Sequence, residues 1–132
     1  MIDRALFLAG LRGLAYDAEI FNCWHLAGLV QDRLFGRALP IAAPGLVADV
    51  RARARAMAEH PARADWQPVA RPVDGALVLM GKVEGAETHA GTWLAEQCGV
   101  ILHNDEGHGV VFDSPLELAA ARRWRLTYLV PV

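Results

Sequence analysis

Cysteine and histidine do chemistry only where their surroundings allow it, and the stretch "FNCWHLAGLV" (residues 21 to 30) sets Cys23 at the head of an apolar pattern. Leu26, Leu29, Val30 and Leu34 recur at three- and four-residue spacing before Gly36, which predicts a helix beginning at Cys23. The first turn of a helix carries N–H groups without intrahelical acceptors and the positive end of the macrodipole, so a thiol there leans towards thiolate. A thiolate nucleophile needs a proton partner, most often an imidazole, and a polar group that holds that imidazole in one orientation. Two histidines qualify by position. His89 opens the run "HAGTWLA", and His103 lies near the end of the next run, "GVILHN". If these runs pair as a hairpin around the turn at Glu96 to Gly99, residues whose numbers sum to about 192 face each other, which sets His89 opposite His103. A slip of one residue would turn one ring to the other face.

Each of these residues also has a plainer reading. A cysteine without a partner is commonly a small buried hydrophobe, and Cys98, in "EQCG", reads as a thiol without function. His25, two positions from Cys23, reads as exposed or structural, and His60 and His108 read as surface residues. Cys23, His89 and His103 are all good zinc ligands, but no Cys-x-x-Cys or His-Glu-x-x-His spacing accompanies them, so no metal is expected. Trp24, Trp66, Trp93 and Trp124 read most simply as core or rim aromatics, with Trp66 a candidate for flanking a groove.

The elements that must position these groups follow from pattern and punctuation. Helices are expected over residues 3 to 12, from Cys23 to about Gly36, and over residues 46 to 60. Pro61, Pro68 and Pro72 predict an extended connecting segment. Beyond it, "ALVLM", "HAGTWLA", "GVILHN" and "GVVFD" read as antiparallel strands, with "GKVEGAE" and "DEGHG" as reversals. "SPLELAAARR" begins with a Ser cap and a Pro at the first helical position, which predicts a short helix, and "RWRLTYLV" a last strand. Helices first and a small antiparallel sheet second is an α+β layout in a single domain over residues 1 to 132.

Composition narrows the setting. A net charge of -2 does not suit a surface built to neutralise phosphates, and Arg51, Arg53 and Arg55 would spread around a helix rather than form a stripe, so no nucleic-acid partner is expected. No apolar run reaches the roughly 18 residues of a membrane span. "MIDRALFLAGLRGLAYD" lacks the basic start and cleavage site of a secretory signal, so synthesis in the cytoplasm and two reduced thiols are expected.

"NCWHLAGLVQDRLFG" resembles the catalytic-helix motif of the NlpC-type papain-like cysteine peptidases, especially the short versions found in phage tails, where Asp-Cys-Trp-Gly-Leu-Val is usual. "RPVDGALVLM" is similar to the family's proline-glycine-aspartate strand, "THAGTWL" to its histidine strand and "GVILHN" to the strand that supplies the third polar residue. "LRGLAYD" is similar to the glycine and aromatic that precede the nucleophile, so the resemblance runs from about Leu11 to Tyr128. It implies a papain-like NlpC-type fold with N-terminal helices packed on a small antiparallel sheet. Carried over by position, it implies Cys23 as nucleophile, His89 as general base and His103 as the orienting residue. Tyr16 would line the site and assist the oxyanion, with Asn22 and Trp24 beside the nucleophile on the substrate side.

The implied activity is hydrolysis of amide bonds in peptidoglycan stem peptides, without a metal or organic cofactor, in a phage tail or phage-like particle whose tail or tail-tip proteins are the partners. The chain departs from the pattern at Asn22, where Asp is usual, and at His25, where glycine is expected, and its loop between Tyr16 and Cys23 is short. Two further readings therefore stay open: a tail-assembly or tail-tip structural protein that keeps the fold with an idle site, and a cytoplasmic amidase or acyltransferase on the same scaffold.

Overall fold

The protein is described here by a computed structural model covering residues 2–39, 50–59 and 61–132. Helix α1 (Arg4–Leu11) starts where the Asp3 carboxylate accepts the Leu6 N–H, and buries Leu8 and Leu11. Helix α2 (Cys23–Phe35) runs from an Asn22 cap to Gly36, whose φ of 64 ends it in the left-handed region. Helix α3 (Val50–Ala58) falls within the expected span, of which residues 46 to 49 and 60 lie outside the described residues.

Among the described residues six strands follow: β1 (Trp66–Val69), β2 (Leu77–Gly81), β3 (His89–Leu94), β4 (Val100–Asp105), β5 (Gly109–Asp113) and, after helix α4 (Pro115–Ala121), β6 (Arg125–Pro131). They form one antiparallel sheet in the order β1-β6-β2-β3-β4-β5. The layout is α+β. The proline-rich stretch expected only to connect is partly a strand, since β1 pairs with the far end of β6. Pro68 hid it. A proline cannot donate to a ladder, so a strand that contains one survives only at an edge, where β1 lies.

Alternation along the strands divides the sheet into two faces. Leu77, Leu79, Ala90, Leu94, Val100 and Leu102 meet Trp24, Leu26, Ala27 and Val30 of α2, while Val78, Met80 and Ile101 meet Leu118 of α4. The far end of α2 is tied down by polar groups. Gln31 is wholly buried and donates through Nε2 to the Gly75 carbonyl at 2.9 Å, and Arg37 donates to both that carbonyl and Gln31 Oε1. Arg4 grips Asp74 and Glu96, joining α1 to the turns before β2 and after β3. Among the described residues no helix is long and apolar enough to cross a membrane.

The packing of α2 sets its entry into the site, so its buried face should dominate stability. Leu26 is 1% exposed. Leu26→Ala is expected to cost about 2 to 5 kcal/mol in urea denaturation. Leu6→Ala, on the exposed side of α1 at 71%, should stay within about 0.5 kcal/mol.

Candidate functional site

The start of α2 is held from three sides. Asn22 Oδ1 accepts the N–H groups of Trp24 and His25, and Asn22 Nδ2 donates to the Ala18 carbonyl. His25 occupies the third helical position, where a capping box ordinarily has Glu or Gln, and its Nδ1 accepts the Asn22 N–H at 3.1 Å. That bond requires His25 Nδ1 to be bare and explains a histidine where the resemblance leads one to expect glycine. From the sheet, Asn104 Nδ2 donates to the Phe21 carbonyl at 2.7 Å and approaches that of Asn22 at 3.5 Å. Among the described residues nothing donates to Asn104 Oδ1, which is buried. Just upstream, Asp17 Oδ1 accepts the N–H groups of Glu19 and Ile20, closing a tight turn that brings Phe21 back to Asp17.

The two histidines meet, but not as direct cross-strand partners. Gly91, two residues beyond His89, faces His103, so the expected register is off by two. The reversal centres on Gln97 rather than Glu96, because Gln97 and Cys98 both take positive φ (53 and 64) and lengthen the turn. An even slip leaves both rings on one face. His89 Nε2 lies 2.8 Å from His103 Nδ1, with the rings edge to face at 87°. Gly91 makes this diagonal contact feasible, because a Cβ there would stand 3.0 Å from His103 Cβ and 2.8 Å from the Leu102 carbonyl oxygen.

His103 is fully buried, and its Nε2 lies 2.8 Å from Asp113 Oδ2. Burial pushes its pKa below the ordinary histidine value, outweighing Asp113, which pulls the other way. Asp113 escaped sequence reasoning because it ends a run that otherwise reads as a plain strand. Its one signal is the same diagonal step across β4 and β5 that joins His89 to His103, since Val111 is the direct partner of His103.

Cys23 and His89 open the elements α2 and β3, and both line one cleft of about 180 Å³ with Tyr16, Asn22, Thr88, Asp105, Glu106 and Trp124. Tyr16 reaches it from a strap along the outer edge of β5, where Gly13 N–H donates to the Val110 carbonyl and Val110 N–H to that of Leu14. Gly109, with φ of 75, admits this strap because a side chain there would collide with the Leu14 carbonyl. Trp124 covers the imidazoles, its ring 5.1 Å from that of His89 and 6.4 Å from that of His103. Arg122 lies over the Trp124 ring and grips both Asp105 oxygens, one of which also meets His108 Nδ1 at 2.6 Å. Burial alone would raise the Asp105 pKa, but the bonds from Arg122 and His108 outweigh it and hold the carboxyl well below the usual range.

Trp24, carried over as a substrate-side residue, is turned away from the cleft. One position further round α2 than Cys23, it packs with Leu39, Met57, Trp66, Leu77 and Leu79, so it belongs to the core. Trp66, a candidate for a groove wall, is buried in that same cluster. Asn22 lines the cleft, but its side chain is spent on the cap. Cys98 is exposed in the β3–β4 turn, and no disulfide joins it to Cys23. Both ring nitrogens of His103 face partners, which leaves neither for a zinc ion; among the described residues no group of three or more His, Cys, Asp or Glu is arranged for a metal. His60 lies outside the described residues. No family model matches the chain, and no curated protein matches it.

Two outcomes follow from these contacts. His25→Ala removes the acceptor of the Asn22 N–H and should cost about 1 kcal/mol in urea denaturation, whereas His25→Gln, which restores a side-chain acceptor, should recover most of it. Asp105 has a folded-state pKa below its unfolded value of about 3.9, so its contribution to stability is complete above that pH and drains away as pH falls. Asp105→Asn should therefore be less stable than the parent at neutral pH and lose less stability between about pH 5 and 3, as followed by thermal melts.

Proposed function

We propose that the chain is a cysteine peptidase or amidase that cleaves peptide amide bonds by acyl transfer to Cys23. One observation supports this above the rest: the first residue of α2 and the first residue of β3, a thiol and an imidazole, line one cleft, and the imidazole is held by a second, buried one. In the reaction, His89 takes the thiol proton and the Cys23 sulfur attacks the substrate carbonyl carbon. The tetrahedral oxyanion is met by the Cys23 N–H at the head of the helix and by the Tyr16 hydroxyl. His89 gives its proton to the leaving amine, then takes one from the water that attacks the thioester, and returns it to sulfur as the acid product leaves. Atoms and protons balance without a cofactor.

The substrate class comes from the resemblance to NlpC-type peptidases, which points to stem peptides of peptidoglycan and to a place in the tail of a phage or phage-like particle. The alternative, an idle site in a tail-assembly protein, draws on the burial of Cys23, which is only 5% exposed.

Cys98 provides an internal reference for separating the two. Alkylation followed by mass spectrometry near about pH 6 should label Cys23 faster than exposed Cys98, and His89→Ala should remove that advantage. Purified peptidoglycan should release new amino groups with the parent protein and none with Cys23→Ala. Cys23 labelling slower than Cys98 at every pH, together with no released amine, would leave the idle reading standing.

A further inference from the structure

We propose that Asp113 is a positioning residue of the cleft: through His103 it decides which nitrogen of each imidazole carries the proton, and so which nitrogen His89 offers to the thiol. This deepens the acyl-transfer reading and rests on it for the thiol.

His89, His103 and Asp113 lie on three successive strands along one diagonal, with 2.8 Å between His89 Nε2 and His103 Nδ1 and 2.8 Å between His103 Nε2 and Asp113 Oδ2. A carboxylate only accepts, so the proton of a neutral His103 sits on Nε2. His103 is fully buried, which disfavours a second proton, so its Nδ1 is an acceptor. His89 must then donate through Nε2, which leaves Nδ1 as the nitrogen that exchanges a proton with Cys23. When His89 becomes an imidazolium, Nε2–H still donates to His103 and nothing in the chain reverses.

Without the Asp113 charge, His103 can instead carry its proton on Nδ1. It then donates to His89 Nε2, the neutral His89 proton moves to Nδ1, and the nitrogen needed as base is blocked. Asp105 and Arg122 also act on His103, but only at a distance, while the Trp124 ring covers both imidazoles without bonding to either nitrogen pair in the chain. Among the charged groups acting on His103, Asp113 is the one whose oxygen lies within hydrogen-bond distance of it.

Imidazole nitrogen spectra of the ¹⁵N-labelled full chain test this without substrate. The neutral parent protein should show His103 and His89 both protonated on Nε2. In Asp113→Asn, whose amide can donate to a bare His103 Nε2, the Nδ1–H form of His103 should appear, and Cys23 alkylation should slow by on the order of tenfold or more. Asp113→Glu should restore part of both. A parent spectrum with His103 protonated on Nδ1, or a folded Asp113→Asn with unchanged tautomers, overturns the proposal. The parent spectrum decides the matter even if the variant fails to fold. Alkylation of Cys23 that ignores His89→Ala would sink the nucleophile reading instead, while the imidazole spectra would still judge Asp113.

Discussion

The hydrogen bond from Asn104 to the Phe21 carbonyl joins the two halves of the molecule at the head of α2. Asn104 belongs to the sheet and Phe21 to the turn that feeds α2, so the bond fixes the head of the helix against the strands that carry the histidines. The peptide between Phe21 and Asn22 is held at both ends, its carbonyl by Asn104 and its N–H by His25. Because a peptide is planar, gripping both ends fixes its orientation, and the next unit, which carries the Cys23 N–H, is held by its own carbonyl, where Asn22 accepts the Leu26 N–H. The buried Asn104 Oδ1, without a donor among the described residues, adds a cost to this arrangement.

Apolar packing sets the larger geometry within which these bonds operate. Leu26, Ala27 and Val30 seat α2 on one face of the sheet, while Leu118 of α4 packs on the other, the face of the two histidines. Cys23 and His89 thus come from opposite sides of the sheet and both line the cleft at its end, where each is the first residue of its element. The helix is pinned lengthwise as well as seated, which fixes how far the sulfur stands along its axis. Gln31 and Arg37 at its far end, with Asn22 and Asn104 at its head, supply that constraint.

Charge around the cleft is arranged in linked pairs. Arg122 neutralises Asp105 and stacks on Trp124, which in turn covers His89 and His103. The turn between α4 and β6 that presents these groups contains Arg123 with φ of 55, a backbone conformation that costs a residue with a side chain something to hold. Asp113 stands on the other side of the imidazole pair, so His103 is bracketed by a carboxylate it contacts and a neutralised one it does not.

Local pattern was enough to mark α1, the start of α2 at Cys23, the Ser114-capped α4 and the strands from Leu77 to Asp113, because caps, periodicity and turn residues are written in neighbouring positions. It also placed His89 and His103 on adjacent strands, and their side chains share one face because the register differs from the expected one by an even number of residues. What it missed are features settled by distant residues. Pro68 masked β1, whose partner strand is the distant β6, with Trp66 facing Pro131 and Val69 facing Tyr128. The two-residue error in register came from backbone angles at Gln97 and Cys98 that neither residue type demands. Trp24 was legible as a core or rim aromatic, and only the rotation of α2 against the sheet decided for the core over the substrate side that the resemblance implied. Asp113 gained its place from the lateral order of three strands, which no short stretch of chain encodes. Sequence alone determined most of the elements, β1 excepted, and which reactive types they carry; tertiary packing decided which of those groups touch, because contact between strands and helices is set by register and rotation that many weak interactions fix together.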